Sequence, residues 1–220
     1  MSSPVGRVLR QILRLLRRLE HRGLRRGCII TAMEPLAAMR WLWAAWLISW
    51  MLASRWSNRT EATPSLGSEL VYRVPTTLGG VLLFVGAGYE VGPGLLLWEA
   101  PRAVGWALVG LTALGFAFCW WARIHLGRMW SSSVTRKSDH RIIDTGPYAW
   151  VRHPIYTGLI LAAAAMAAYE GTIVALAGAA LFVVGCWMKA RLEERFLRTQ
   201  LGEEAYDAYS RRTGMLFPGL

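Results

Sequence analysis

Five apolar runs of near-membrane length, parted by polar stretches, limit what this chain can fold into. They cover residues 36–52, 74–89, 103–121, 155–168 and 172–188. Roughly 20 apolar residues suffice for a helix to cross a hydrocarbon core about 30 Å thick. A backbone surrounded by lipid must satisfy its own hydrogen bonds, so each such run is read as a helix. The fold expected is all-α, a polytopic membrane helix bundle of about five transmembrane helices. Composition agrees, since 54% hydrophobic residues, 18% charged residues and 12 tryptophans do not suit a soluble domain. The run 155–168 is the exception in length, reaching only about 21 Å at 1.5 Å per residue.

The formal charge of +11 is unevenly spread. Residues 1–32 hold eight arginines against the single acid Glu20, leaving +4 for the rest of the chain. Residues 5–26 space their leucines and valines as a basic amphipathic helix that suits an anionic leaflet. Alternatively residues 1–32 are an extension ahead of Met33, whose "MEPLAAMRWLWAAW" reads as a start. No cleavable signal peptide of ordinary shape is present. The organisation expected is an arm over 1–32, N-terminal transmembrane helices over 33–121 and a functional core over 122–220. The basic excess is one local arm without a nucleic-acid motif, so nucleic acid is not an expected partner. Residues 54–73, 122–152 and the tail from Lys189 share one side of such a bundle and carry 15 Lys and Arg, against Arg40 and Arg102 opposite. The positive-inside rule places that face in the cytoplasm and the N-terminus outside. The arm's arginines oppose this assignment unless the arm is an extension or one span does not cross.

Two features look like sites and are read otherwise. Gly86, Gly88 and Gly92 follow an apolar run with the spacing of a nucleotide-binding turn, but lack the strand–turn–helix setting that the turn requires. They are expected to break a membrane helix. His125, His140 and His153 fit no metal-ligand spacing, and Cys28, Cys119 and Cys186 form no CxxC pair, so no metal is expected.

The chemistry is concentrated in two segments around the last helical hairpin. "HRIIDTGPYAWVRHPIYTG" precedes it and "RLEERFLRTQLGEEAYDAYSRR" follows it. A hairpin returns both ends to one membrane face, so Tyr148, Arg152, His153 and Tyr156 can meet Glu193, Glu194 and Tyr206. Ionisable groups at a membrane boundary are costly unless paired or used. An interfacial ion-pair lattice is the bland explanation. Aromatic rings, an imidazole, a guanidinium and paired carboxylates also suit a nucleoside with a charged amino-acid tail.

Gly146, Pro147, Tyr148, Arg152, His153, Pro154, Tyr156 and Gly158, followed by Glu193, Glu194, Gly202, Tyr206 and Tyr209, resemble the signature of the isoprenylcysteine carboxyl methyltransferase family. Leu126–Gly127 fits as well, and the resemblance runs from about Gly105 to the C-terminus. It implies an integral membrane enzyme that uses S-adenosyl-L-methionine, releases S-adenosylhomocysteine, and encloses the cofactor without a Rossmann fold. It also implies that Tyr148, His153, Pro154, Tyr156 and Glu193 line the cofactor, with Arg152 and Glu194 beside the acceptor. Phospholipid N-methyltransferases are similar in architecture.

Methyl transfer from a sulfonium chiefly requires alignment and exclusion of water. A carboxylate acceptor, oriented by Arg152 through a bidentate contact, needs no base; an amine or thiol requires one, and Glu194 is placed for it. The partners expected are membrane lipids and a lipophilic acceptor entering from the bilayer, with carboxyl O-methylation favoured over amine or thiol methylation. Two alternatives remain. One is an NADPH-dependent sterol-type reductase, which has a similar "RHP-x-Y-x-G" segment, and the other is a non-enzymatic membrane scaffold.

Overall fold

The computed structural model describes residues 34–54, 66–85, 95–127, 130 and 142–219. The basic arm, the glycine-rich break at 86–94, His140 and most of the polar loop at 128–141 lie outside the described residues. The chain divides into Met1–Glu34 and Pro35–Leu220, and the architecture that follows is that of the second unit.

All regular elements among the described residues are helical. They are α1 (Pro35–Ala53), α2 (Leu66–Val85), α3 (Arg102–Leu126), a 3-10 turn (Gly146–Ala149), α4 (Pro154–Glu170), α5 (Ile173–Leu201) and α6 (Glu203–Arg212). This is the expected all-α membrane bundle. Three helices, Pro35–Ala53, Arg102–Leu126 and Ile173–Gln200, are long and apolar enough to cross a membrane, and α4 is a shorter apolar helix.

Three boundaries differ from the sequence expectation. The second helix begins at Leu66 rather than near 74, drawing Glu69, Tyr72 and Arg73 out of the expected loop and into α2. The third extends to Leu126, where Gly127 at φ 58° ends it. The last apolar run does not stop at Met188. It continues as a single helix to Leu201, because the polar stretch beyond Lys189 is rich in Arg, Glu and Leu, good helix formers with no breaker before Gly202.

Packing follows two close helix pairs, α2 with α5 and α3 with α4. Glycine makes both possible. A Cβ on Gly79 would lie 2.5 Å from the Phe182 backbone nitrogen, and one on Gly115 would lie 2.6 Å from the Gly158 carbonyl oxygen. Small residues at such crossings let membrane helices approach backbone to backbone. Trp43 of α1 fills the middle, edge-on to Phe84, Phe116 and Phe182 at ring separations of 5.7, 4.9 and 6.2 Å.

The α4–α5 hairpin is closed by Gly171, in the left-handed region at φ 62°, and by Thr172, whose hydroxyl accepts from the Ala175 N–H. Residues 95–101 run across this turn. The Leu97 N–H donates to the Gly171 carbonyl at 2.7 Å, and the Ile173 N–H donates to the Leu95 carbonyl at 2.9 Å. The hairpin thus has its far end tied down and its open end at the candidate site.

Candidate functional site

The site begins with a proline-set entry into α4. Pro154 supplies the first helical position, where its missing N–H costs nothing. His153 takes the cap position, so its imidazole stands at the mouth of the helix. The preceding 3-10 turn buries Pro147 and Tyr148. Residues 151–153 are then held along the chain terminus. Val151 bridges to Gly214 in parallel, the Arg152 N–H donates to the Gly214 carbonyl at 2.8 Å, and the His153 N–H donates to the Met215 carbonyl at 3.1 Å. The Thr157 hydroxyl adds a bond to the Leu216 carbonyl at 2.7 Å.

The extension of α5 brings Glu193 and Glu194 to this mouth. Arg152 Nε donates to Glu194 Oε1 at 2.6 Å, and Nη1 donates to the carbonyls of Ser210, at 3.0 Å, and Thr213. His153 lies between the two carboxylates, with Nε2 3.3 Å from Glu194 Oε1 and Nδ1 3.5 Å from Glu193 Oε2. The Tyr156 hydroxyl donates to Glu193 Oε1 at 2.6 Å, and its ring stacks on the imidazole 5.4 Å away at 10°. Five of the residues singled out in the sequence therefore form one connected, largely buried cluster: Arg152, His153, Tyr156, Glu193 and Glu194.

Burial alone lowers the pKa of His153, but its contacts with Glu193 and Glu194 outweigh that and hold it above the ordinary imidazole value. The imidazolium is thus favoured between the two carboxylates.

Tyr148, Tyr206 and Tyr209 belong to the shell beneath. The Tyr209 hydroxyl donates to the Tyr148 carbonyl at 2.8 Å, and the Tyr148 hydroxyl reaches the Ala122 carbonyl at 3.5 Å. Tyr206 is buried, its ring edge-on to Tyr209 at 6.2 Å. Burial pushes the Tyr148 and Tyr206 phenols up, and that of Tyr209 up to about 12, so all three remain neutral donors. These residues couple the 3-10 turn, α3 and α6 into one support.

Three residues at or near the site were not singled out in the sequence. Lys189 stands one turn before Glu193 on α5, with its Nζ 4.0 Å from Glu193 Oε1. Its i, i+4 spacing to Glu193 was a usable signal. Tyr72 comes from α2, and its ring lies 5.5 Å from Lys189 Nζ. No local pattern marks Tyr72, because only the α2–α5 packing brings it here. Arg123, fully buried at the end of α3, donates to the carbonyls of Gly127 at 2.6 Å and Ala53 at 2.9 Å and lies 4.5 Å over the Trp130 ring. It joins the ends of α1 and α3 and lies outside the cluster.

The arrangement offers a carboxylate pair, an imidazolium, an oriented guanidinium and aromatic faces beside an apolar bundle. Such a set suits a ligand that carries charge, hydroxyls and a flat ring.

Comparison with known proteins converges on the same part of the chain. Residues 108–199 match the model of the isoprenylcysteine carboxyl methyltransferase (ICMT) family. A stretch of 97 residues is 31% identical to the cobalt-zinc-cadmium resistance protein CzcN of Cupriavidus metallidurans. That likeness covers 43% of this chain and 44% of the relative, so the chain spans under half of the curated protein it matches. Residues 108–199, which carry Arg152, His153, Tyr156, Glu193 and Glu194, are a region of the isoprenylcysteine carboxyl methyltransferase family.

Proposed function

We propose that this protein is an integral membrane methyltransferase that uses S-adenosyl-L-methionine and acts on a lipophilic acceptor. The observation that carries the reading is the convergence of Arg152, His153, Tyr156, Glu193 and Glu194 at the open end of the hairpin, inside the family-matched region. Bound there, the cofactor would supply a methyl group already activated on a sulfonium. Tyr148, His153, Pro154, Tyr156 and Glu193 are assigned to its binding. Glu193 and Tyr156 offer a carboxylate and an aromatic face, and the chemistry of that donor set fits a cationic nucleoside.

Arg152 and Glu194 are assigned to the acceptor side. Glu194 Oε1 already accepts from Arg152 and lies within reach of His153. A carboxylate held in this way is poorly disposed to take a further proton. That favours an acceptor that needs no deprotonation, and so carboxyl O-methylation over amine or thiol methylation. Nε and Nη1 of Arg152 are engaged within the protein, which leaves Nη2 to orient an acceptor oxygen. The fork contact expected from sequence becomes a single-point contact. The acceptor enters laterally from the bilayer, and the catalytic face is cytoplasmic.

The test is calorimetric titration of S-adenosylhomocysteine into detergent-purified protein. His153→Ala and Glu193→Ala are expected to weaken binding at least tenfold while the variants keep their helical circular dichroism. Unchanged affinity in both would overturn the assignment of these residues. Arg152→Lys keeps the charge but loses the planar group that reaches Glu194, Ser210 and Thr213 together. Its turnover is expected to collapse, and a fully active variant would contradict the role given to Arg152.

A further inference from the structure

Behind the cluster already described, the side chains continue in a stack. The His153 ring faces Tyr156, the Lys189 ammonium lies 5.4 Å from the centre of the Tyr156 ring, and the Tyr72 ring lies 5.5 Å on the other side of that ammonium. Glu193 Oε1 is 4.0 Å from the same nitrogen and accepts the Tyr156 hydroxyl at 2.6 Å. Two aromatic faces and a carboxylate around one positive charge are the elements of a cation-recognition cage. Here the charge held by the cage is one of the protein's own.

A second, independent observation marks the place as a ligand's. Tyr72 is only 5% exposed, and its hydroxyl has no hydrogen-bond partner among the described residues. A buried hydroxyl left unpaired costs about 1–3 kcal/mol, so a polar ligand atom is favoured beside it. Arg73, the next residue, is engaged with Glu69 at 2.7 Å.

We propose that Tyr72, Tyr156 and Glu193 form a cage for the positively charged sulfur centre of the methyl donor, and that Lys189 fills this cage when no ligand cation does. The inference rests on the methyltransferase reading above and extends it to discrimination between donor and product. The donor is a sulfonium and must displace the Lys189 ammonium, whose flexible stem permits withdrawal. The product is a neutral thioether and tolerates the ammonium in the cage. Lys189 thus weakens the donor's advantage and leaves the product no charge with which to compete. Tyr72, from a helix outside the family-matched region, becomes a residue that distinguishes the two ligands.

The test is the ratio of dissociation constants for S-adenosylmethionine and S-adenosylhomocysteine, measured by calorimetry on the full chain in neutral detergent. Lys189→Met is expected to move the ratio about fivefold toward the donor, within the range of a cation–π contact. Tyr72→Leu is expected to move it by a similar factor toward the product. Tyr72→Phe keeps the ring and removes the hydroxyl, so it should weaken both ligands equally and leave the ratio alone. Opposite shifts in two variants cannot arise from a general loss of folding. A ratio that is the same in the native protein, Lys189→Met and Tyr72→Leu, or that moves the same way in both variants, would overturn the cage while leaving the methyltransferase reading intact. A native protein that binds neither ligand would overturn both.

Discussion

His153 stacks on Tyr156 and lies between Glu193 and Glu194, so its charge decides whether these neighbours attract or repel one another. Its folded-state pKa is raised above the unfolded value of about 6.5. A group shifted in that direction contributes stability that is fully present below the unfolded pKa and is lost as pH rises through the folded one. The native protein should therefore melt well above a His153→Gln variant near about pH 6, with the gap narrowing towards about pH 9. A gap that stays constant across that range would show that the imidazolium is not what the carboxylates hold. The same residues explain what the sequence made visible at this scale. Arg152, His153, Glu193 and Glu194 stand out because charge next to an apolar run needs a reason. Tyr72 does not, since a tyrosine near a helix end is ordinary until α5 is packed against it.

At the scale of elements, the hairpin positions the chemistry and glycine positions the hairpin's neighbours. Gly79 and Gly80 are adjacent on α2 and face different surroundings. A Cβ on Gly79 would meet the α5 backbone at 2.5 Å, whereas one on Gly80 would meet nothing within 4 Å. Gly79→Ala should cost about 1–3 kcal/mol, because backbone cannot yield as a flexible side chain does. Gly80→Ala should be neutral or stabilise by up to about 1 kcal/mol through helix propensity. Thermal melting of the two variants in detergent reads the difference, and equal melting temperatures would contradict the close α2–α5 contact. Element boundaries were the least legible part of the sequence. A change of polarity at Lys189 reads as a helix end when lipid contact is the criterion. The backbone continues to Leu201 because helix formation does not need lipid, only favourable residues and a packed face. The start of α2 was obscured in the same way, with Glu69 and Arg73 reading as loop although they pair across one turn at 2.7 Å.

At the scale of the whole molecule, α1, α3 and α5 are the helices able to cross a bilayer, and α4, at 17 residues, begins at the site itself. Most Lys and Arg beyond the arm flank that end of the bundle. The account places this face in the cytoplasm, so a reporter fused after Leu220 should be active if it folds only in the cytoplasm and silent if it requires export. The opposite pattern would reverse the bundle without changing the site. The central claim is that the open end of the hairpin binds S-adenosylmethionine and its product. The most direct measurement is thermal melting of the detergent-purified protein with S-adenosylhomocysteine, run beside NADPH. A specific ligand at about a hundred times its dissociation constant adds about 2.7 kcal/mol of stability. The account predicts a clear rise in melting temperature with S-adenosylhomocysteine and none with NADPH. A rise with NADPH alone would contradict it and would make the same cluster part of a reductase.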